Sequence, residues 1–160
     1  MNVTTLMPMS PRSRPRVFVD ADVIFAGSAS PSEHGASLVT LRLGEITLID
    51  AVTSRQAITE AERNLAAKIP DALTTFRLLV ERSLRVVPDP SRRDLAAYGG
   101  IADPEDLPIL VAAVRERCQW LVTFNVDDFV PGHPDVKVLR PGAFIQRVRS
   151  VLTHMYLAGE

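Results

Sequence analysis

Several acidic side chains in this sequence are spaced along the chain in a way that could assemble a metal site. Asp20 and Asp22 interrupt the apolar stretch RVFVDADVIF at residues 16–25. The other candidate polar ligands are Glu60, Asp103, Asp106, Asn125, Asp127 and Asp128. Carboxylates that converge repel one another unless a cation neutralises them, and Mg²⁺ and Mn²⁺ prefer oxygen ligands. Such a cation lowers the pKa of water and stabilises a leaving oxygen, which suits phosphoryl chemistry.

Strands and helices are expected to alternate along the chain. The hydrophobic pattern predicts strands at residues 16–21, 46–52, 85–88, 120–124 and 136–139. Capping signals and helical spacing predict helices at residues 31–44, 53–69, 70–84, 91–98, 103–117 and 141–156. The first strand is almost continuously apolar, as expected for a strand buried on both faces of a parallel sheet. The alternation therefore predicts an α/β fold with a mostly parallel sheet.

The predicted elements would carry the acids to one edge of that sheet. Ligands of open α/β sheets bind at the carboxyl ends of strands, near a topological switch point. Asp20 and Asn125 each follow a predicted strand, and Asp106 lies at a helix start, where the helix dipole favours a carboxylate. Glu60 lies on the Ala57 side of its helix. We therefore expect acids from four distant segments to converge.

Each acid taken alone also has an ordinary structural explanation. Asp22 is as well explained as a turn residue, Glu60 as a solvated helix residue, and Asp127 as loop surface. Asp103 fits a helix cap, and a carboxylate in the first helical turn is favourable without any ligand. The joint pattern of the acids, rather than any single member, indicates a site.

Composition limits the classes of protein to consider. The 160 residues have a net charge of −1, which does not by itself indicate nucleic-acid binding, although a local basic rim would suffice. Cys118 is the only cysteine, so no internal disulfide can form, which fits a reducing cytoplasm. No apolar run is long enough to span a membrane. We expect a flexible tail at residues 1–15 and a single domain at 16–157.

Four stretches of the sequence together resemble a known family. In chain order they are VFVDADVIF, AITEAERNL, DPEDLPILVAAV and WLVTFNVDDF, which span roughly residues 16–129. They resemble the PIN-domain family, which includes the toxin nucleases of toxin–antitoxin pairs. The resemblance implies a three-layer α/β/α sandwich with a mostly parallel central sheet. It also implies hydrolysis of RNA with Mg²⁺ or Mn²⁺, leaving a 5′-phosphate and a 3′-hydroxyl.

The resemblance also assigns roles to residues of this chain. It implies that Asp20, Glu60, Asp106 and Asp128 are catalytic and that, with Asn125, they bind the metal; Glu60 would bind metal or orient water. Many family members have aspartate at the position of Asn125, so Asp128 is the candidate for the missing carboxylate. Thr123 could hydrogen-bond the acids. Asp103 is a candidate for an acid that lies next to the metal ligands without binding the metal itself. The implied partners are RNA, a small antitoxin protein and a second copy of the chain.

Two other functions remain compatible with the sequence alone. The stretch VFVDADVI also resembles the signature of haloacid-dehalogenase-type phosphatases, in which Asp20 would be the nucleophile and Asp22 a general acid. That chemistry calls for a positioned lysine, and Lys68 and Lys137 are the only lysines. A catalytically weak, PIN-like RNA-binding module is the other alternative, because Asn125 carries no charge.

Overall fold

A five-stranded parallel sheet forms the centre of the protein. The computed structural model describes residues 14–30, 32 and 35–159, so all but the last two residues of the expected tail at 1–15 lie outside the described residues. The strands are β1 (Arg16–Val19), β2 (Asp50–Ser54), β3 (Arg85–Val87), β4 (Trp120–Val122) and β5 (Lys137–Leu139). Their order is β3-β2-β1-β4-β5, and every adjacent pair is parallel.

Helices connect the strands and form the outer layers. They are α1 (Ala21–Ala29), α2 (Ala36–Glu45), α3 (Arg55–Lys68), α4 (Leu73–Ser83), α5 (Arg92–Ala96), α6 (Leu107–Arg115) and α7 (Pro141–Ala158). Helices α1–α4 pack against one another, and α6 packs against α5 and β4. Right-handed crossovers that leave a central strand in opposite directions place helices on both faces of a sheet. The predicted α/β/α sandwich is therefore confirmed.

The core explains why β1 reads as a continuous apolar run. Val17, Phe18 and Val19 are fully buried because β1 is the central strand and is covered on both faces. Cys118 is also buried, and this burial raises the pKa of its thiol to about 12. A thiol that stays protonated is a core residue rather than a nucleophile. None of the helices in the described part of the chain is long and apolar enough to cross a membrane.

Helix α1 was absent from the sequence-based assignment. The strand predicted at 16–21 ends at Val19, and Asp20 becomes the N-cap of α1, with its Oδ1 accepting a hydrogen bond from the Ala21 N–H at 2.7 Å. Polar residues do not line one side of this helix, because it packs against helices α2, α3 and α4. A helix buried in this way lacks the one-sided periodicity that reveals an amphipathic helix.

The second strand also begins later than predicted. The prediction of a strand at 46–52 is wrong at its start, because β2 begins at Asp50. Ile46 and Leu48 are 59% and 56% exposed and lie in a turn that ends α2. The Leu48 N–H donates to the Leu43 carbonyl at 3.0 Å, and Thr47 has a left-handed φ of 63°. The apolar residues Ile46 and Leu48 therefore lie in the turn after α2 and are not part of β2.

The helix predicted at 103–117 is shorter than expected. Residues 104–106 form a turn, and α6 starts at Leu107. The Asp103 carbonyl accepts hydrogen bonds from the backbone N–H groups of Asp106 and Leu107 at 2.9 and 2.8 Å. The turn therefore keeps Asp103 and Asp106 at the start of the helix, close in space as well as in sequence.

An ion-pair network occupies the amino-terminal edge of the sheet. Asp50 accepts hydrogen bonds from the guanidinium groups of Arg16, at 2.7 Å, and Arg85, at 3.0 Å. Burial acts to raise the pKa of Asp50, but the hydrogen bonds from Arg85 and Arg16 outweigh it and lower the pKa. These basic groups are used to join β1, β2 and β3, at the edge of the sheet opposite to the carboxyl ends of the strands.

Candidate metal centre

The acidic site lies where the carboxyl ends of β1 and β4 meet. These strands are neighbours in the sheet, but the chain leaves β1 toward β2 and leaves β4 toward β5. This divergence is the topological switch point at which open α/β sheets bind ligands, because the two connections open a crevice between them. Asp20 follows β1 directly, and Thr123 follows β4 directly.

Asp20 is held at the bottom of this crevice. It is 7% exposed. Its Oδ1 accepts from the Ala21 N–H, and its Oδ2 accepts from the Thr123 hydroxyl at 2.9 Å. Burial and repulsion by Asp22 raise the pKa of Asp20 to about 7, with a smaller contribution from Glu60, while its hydrogen bonds act in the opposite direction. A buried carboxylate with such a raised pKa is stabilised when a proton or a cation neutralises its charge.

Asp22 has a larger role than the sequence indicated. Its Oδ2 accepts three hydrogen bonds from the residues after β4, at 3.0 Å from the Phe124 N–H, 3.1 Å from the Asn125 side-chain amide and 3.3 Å from the Thr123 hydroxyl. Its Oδ1 is buried and has no hydrogen-bond partner among the described residues, and burial raises the pKa of the group. Asp22 therefore fastens α1 to the loop after β4 while one oxygen stays without a partner.

Asn125, an expected metal ligand, lies beside Asp22. Its side-chain nitrogen donates to the Asp22 carboxylate, and its backbone N–H donates to the Thr123 hydroxyl oxygen at 3.1 Å. The amide oxygen remains as its potential ligand atom, because the nitrogen is engaged with Asp22. The asparagine at this position thus avoids the repulsion that another carboxylate beside Asp22 would bring.

A second acidic group is formed by Asp103, Asp106 and Asp128. One carboxylate oxygen from each lies within 4.8 Å of the others. The Asp103 N–H donates to the Asp128 carbonyl at 2.8 Å and thereby joins the two loops. Desolvation, followed by repulsion from Asp128 and Asp103, raises the pKa of Asp106 to about 6. Desolvation and the proximity of Asp103 also raise the pKa of Asp128.

Glu60 is electrostatically coupled to both acidic groups. Its charge contributes to the raised pKa values of Asp20, Asp22 and Asp106. Glu60 is half-buried on α3 and shares a cleft wall with Asp22. The structure thus places Asp20, Asp22 and Glu60 in one group. It places Asp103, Asp106 and Asp128 in the other. Asp127 is exposed.

The donor set fits a hard divalent cation. All candidate ligand atoms are oxygens, and three carboxylates come within reach of one ion. Burial and neighbouring carboxylates raise the pKa values of Asp20 and Asp106, and a bound cation would offset both effects. The unpartnered Oδ1 of Asp22 is a further buried oxygen in need of a donor or an ion. Mg²⁺ or Mn²⁺ would satisfy these needs.

Thr123 provides a test of how the acids are held. Its hydroxyl donates toward Asp20 and Asp22 and accepts from Asn125. We expect Thr123→Val to weaken Mn²⁺ binding by about 10- to 100-fold in a titration of the purified protein, as loss of groups that orient metal ligands usually does. Thr123→Ser keeps the hydroxyl and should retain most of the affinity. Equal Mn²⁺ affinities of the valine and serine variants would contradict this role.

Comparisons with known proteins agree with the fold. The PIN domain family profile matches residues 16–127. A chain in the crystal structure of VapBC2 from Rickettsia felis, bound to a DNA fragment from its promoter, superposes with a TM-score of 0.56 at 15% sequence identity. The match covers 78% of this chain and 98% of the other. No functionally curated protein matches the sequence. The family match covers most of the chain, which therefore belongs to the PIN-domain family.

Proposed function

We propose that this protein is a metal-dependent ribonuclease that acts as the toxin of a toxin–antitoxin pair. PIN domains are generally nucleases. The observation that carries the proposal is the convergence of acids from separate segments at the β1–β4 switch point, with pKa values raised by their proximity and burial. A divalent cation would offset the repulsion among these carboxylates.

The residues of the acidic site would have separate roles in RNA hydrolysis. Asp20, Glu60, Asp106 and Asp128 are proposed to hold Mg²⁺ or Mn²⁺, with Asn125 contributing its amide oxygen. When bound, the cation would lower the pKa of water and stabilise the leaving oxygen of the phosphodiester. Thr123 fixes the orientation of the Asp20 carboxylate through its hydroxyl. Asp22 holds the loop after β4, and with it Asn125, against the start of α1.

We also propose that the protein has a small antitoxin partner and forms a homodimer in the cytoplasm. The partner is supported by the likeness of the fold to a chain of the VapBC2 complex. The dimer is supported by the exposed apolar side chains of α7, among them Val151, Met155 and Tyr156. An antitoxin that covered the acidic edge would keep RNA away from the catalytic residues.

The geometry favours a nuclease over the phosphatase alternative. A general acid needs a carboxyl group that is free to approach the substrate, and Asp22 is instead tied by three hydrogen bonds to the residues after β4. Membership of the PIN-domain family points the same way.

The direct test is cleavage of single-stranded RNA by the purified protein. We expect products with 5′-phosphate ends in the presence of Mn²⁺ or Mg²⁺, no products with a chelator, and recovery when Mn²⁺ is restored. A phosphomonoester offered as a control substrate should remain intact. RNA binding without cleavage under all metal conditions would instead identify a catalytically inactive binding module.

A further inference from the structure

A cleft between α1 and α3 extends away from the acidic centre. It has a volume of about 160 Å³ and is lined by Asp22 and Phe25 of α1 and by Glu60, Asn64 and Lys68 of α3. Two of these residues belong to the acidic site described above, so the cleft opens directly from it. Its far end carries a cation and an aromatic ring instead of carboxylates.

The spacing on α3 explains how these residues come to share one cleft. Glu60, Asn64 and Lys68 are four residues apart and therefore lie on one face of the helix. Helical side chains lean toward the amino terminus, so the long side chain of Lys68 extends back over the turn that carries Asn64. At a rise of about 1.5 Å per residue, the backbone positions of Glu60 and Lys68 are about 12 Å apart.

Lys68 is exposed, its ammonium group contacts an aromatic ring, and among the described residues it has no carboxylate partner. Its Nζ lies over the Phe25 ring, 5.8 Å from the centroid, and Phe25 packs against the hydrophobic core. Within the part of the chain that the structure describes, no carboxylate forms an ion pair with Lys68. The ammonium group is therefore oriented by a weak contact but not neutralised.

The ammonium group of Lys68 would offset the repulsion between the acidic site and an RNA substrate. RNA is a polyanion, and a cluster of carboxylates repels it until positive charge is supplied nearby. The overall charge of −1 offers no general attraction. An unpaired ammonium at the end of the cleft can bind a phosphate of the same strand whose neighbouring phosphodiester bond lies among the acids.

We propose that the α1–α3 cleft is the binding track for the single-stranded RNA backbone and that Lys68 binds a phosphate adjacent to the bond that is cut. Phe25 keeps the ammonium of Lys68 at the cleft. This inference rests on the proposed ribonuclease function and names the side of the site on which the strand enters or leaves.

The sequence offers a matched control for Lys68. Lys137 is the only other lysine, and its Nζ also lies over an aromatic ring, 5.9 Å from the centroid of Trp120. Lys137 begins β5 and pairs with Trp120 at the amino-terminal edge of the sheet, opposite to the acidic site. Lys68→Ala and Lys137→Ala thus remove the same charge and the same kind of contact, from opposite edges.

The test measures binding of a labelled single-stranded RNA oligonucleotide by fluorescence anisotropy, in the otherwise unchanged chain with a chelator present so that the strand is not cut. We expect Lys68→Ala to weaken binding about 5- to 10-fold and to reduce the slope of log K against log salt by about 0.7, the value for one phosphate contact on a single strand. Lys68→Arg should bind nearly as well as the parent. Lys137→Ala should leave affinity and slope unchanged.

Kinetics of the same lysine substitutions in the otherwise unchanged chain separate this inference from the proposed function. A higher KM with nearly unchanged kcat in Lys68→Ala, and not in Lys137→Ala, would support the inference. Equal behaviour of the two variants while the wild-type protein cleaves RNA would overturn the inference and leave the ribonuclease intact. A wild-type protein that neither binds nor cleaves RNA would overturn both.

Discussion

Asp20→Asn is expected to lower the rate of RNA cleavage by at least about 100-fold, because residues that merely orient metal ligands already contribute about 10- to 100-fold. The substitution removes a charge and keeps the size of the side chain, but it leaves one acceptor oxygen in place of the two that accept from Ala21 and Thr123. Initial rates on a fluorogenic RNA substrate, measured over a range of Mn²⁺ concentrations, would give the loss.

Asp106→Asn should produce a loss of similar size, because Asp106 lies in the three-carboxylate group. Asp127→Asn is the control, since Asp127 is exposed in the same short helical turn as Asp128 and lies outside that group. Its activity should stay close to that of the wild type. If Asp20→Asn cleaved RNA as fast as the wild type, the activity would come from a contaminating nuclease and the assignment of the site would fail.

The metal-free protein is expected to lose stability as the pH rises from about 4 to about 7. The pKa of Asp20 is raised from 3.8 to about 7 in the folded state, so folding favours its protonated form. The stabilising contribution is complete below the unfolded pKa and is lost as the pH rises through the folded pKa. For the buried Asp20 alone the change approaches about 4 kcal/mol, and the raised pKa values of Asp22 and Asp106 act in the same direction.

Urea unfolding of the wild type and of Asp20→Asn at pH 5 and pH 8, with a chelator present, would isolate this contribution. The wild type should lose more stability than the variant between the two pH values. At pH 8, Mn²⁺ should restore the wild type by about 2.7 kcal/mol when present at 100 times its Kd, and the variant by much less. An identical pH dependence of the two proteins would show that folding does not raise the pKa of the Asp20 carboxylate.

Local pattern was sufficient to predict most of the fold, and its failures have clear causes. The alternation of strands and helices predicted the parallel sheet, and capping signals with helical spacing predicted α3 within two residues, with Ser54 as its N-cap in the structure. Helix α1 was missed because it is surrounded by other helices, so burial rather than amphipathicity shaped its sequence. The start of β2 was misplaced because Ile46 and Leu48 are apolar but exposed.

The site was predictable as a set of acids but not as an arrangement. Strand ends indicated Asp20 and Asn125, a helix start indicated Asp106, and the family resemblance assigned roles to these residues and to Glu60 and Asp128. The sequence could not show that Asp22 accepts three hydrogen bonds from residues more than 100 positions away. The usable signal was the spacing of Asp20 and Asp22 at the junction of a strand and a helix, which places both side chains at the first turn of α1.

The strand order has a consequence for the protein during its synthesis. Asp20 and Thr123 are 103 residues apart in sequence, although their side chains are hydrogen-bonded. The ribosome therefore completes β1, β2, β3 and most of the helices before the partner strand β4 exists. An emerging chain would carry Asp20, Glu60 and Asp106 before Asp128 is added. The proposed ribonuclease would therefore lack part of its acidic site near the ribosome until nearly the whole domain has been released.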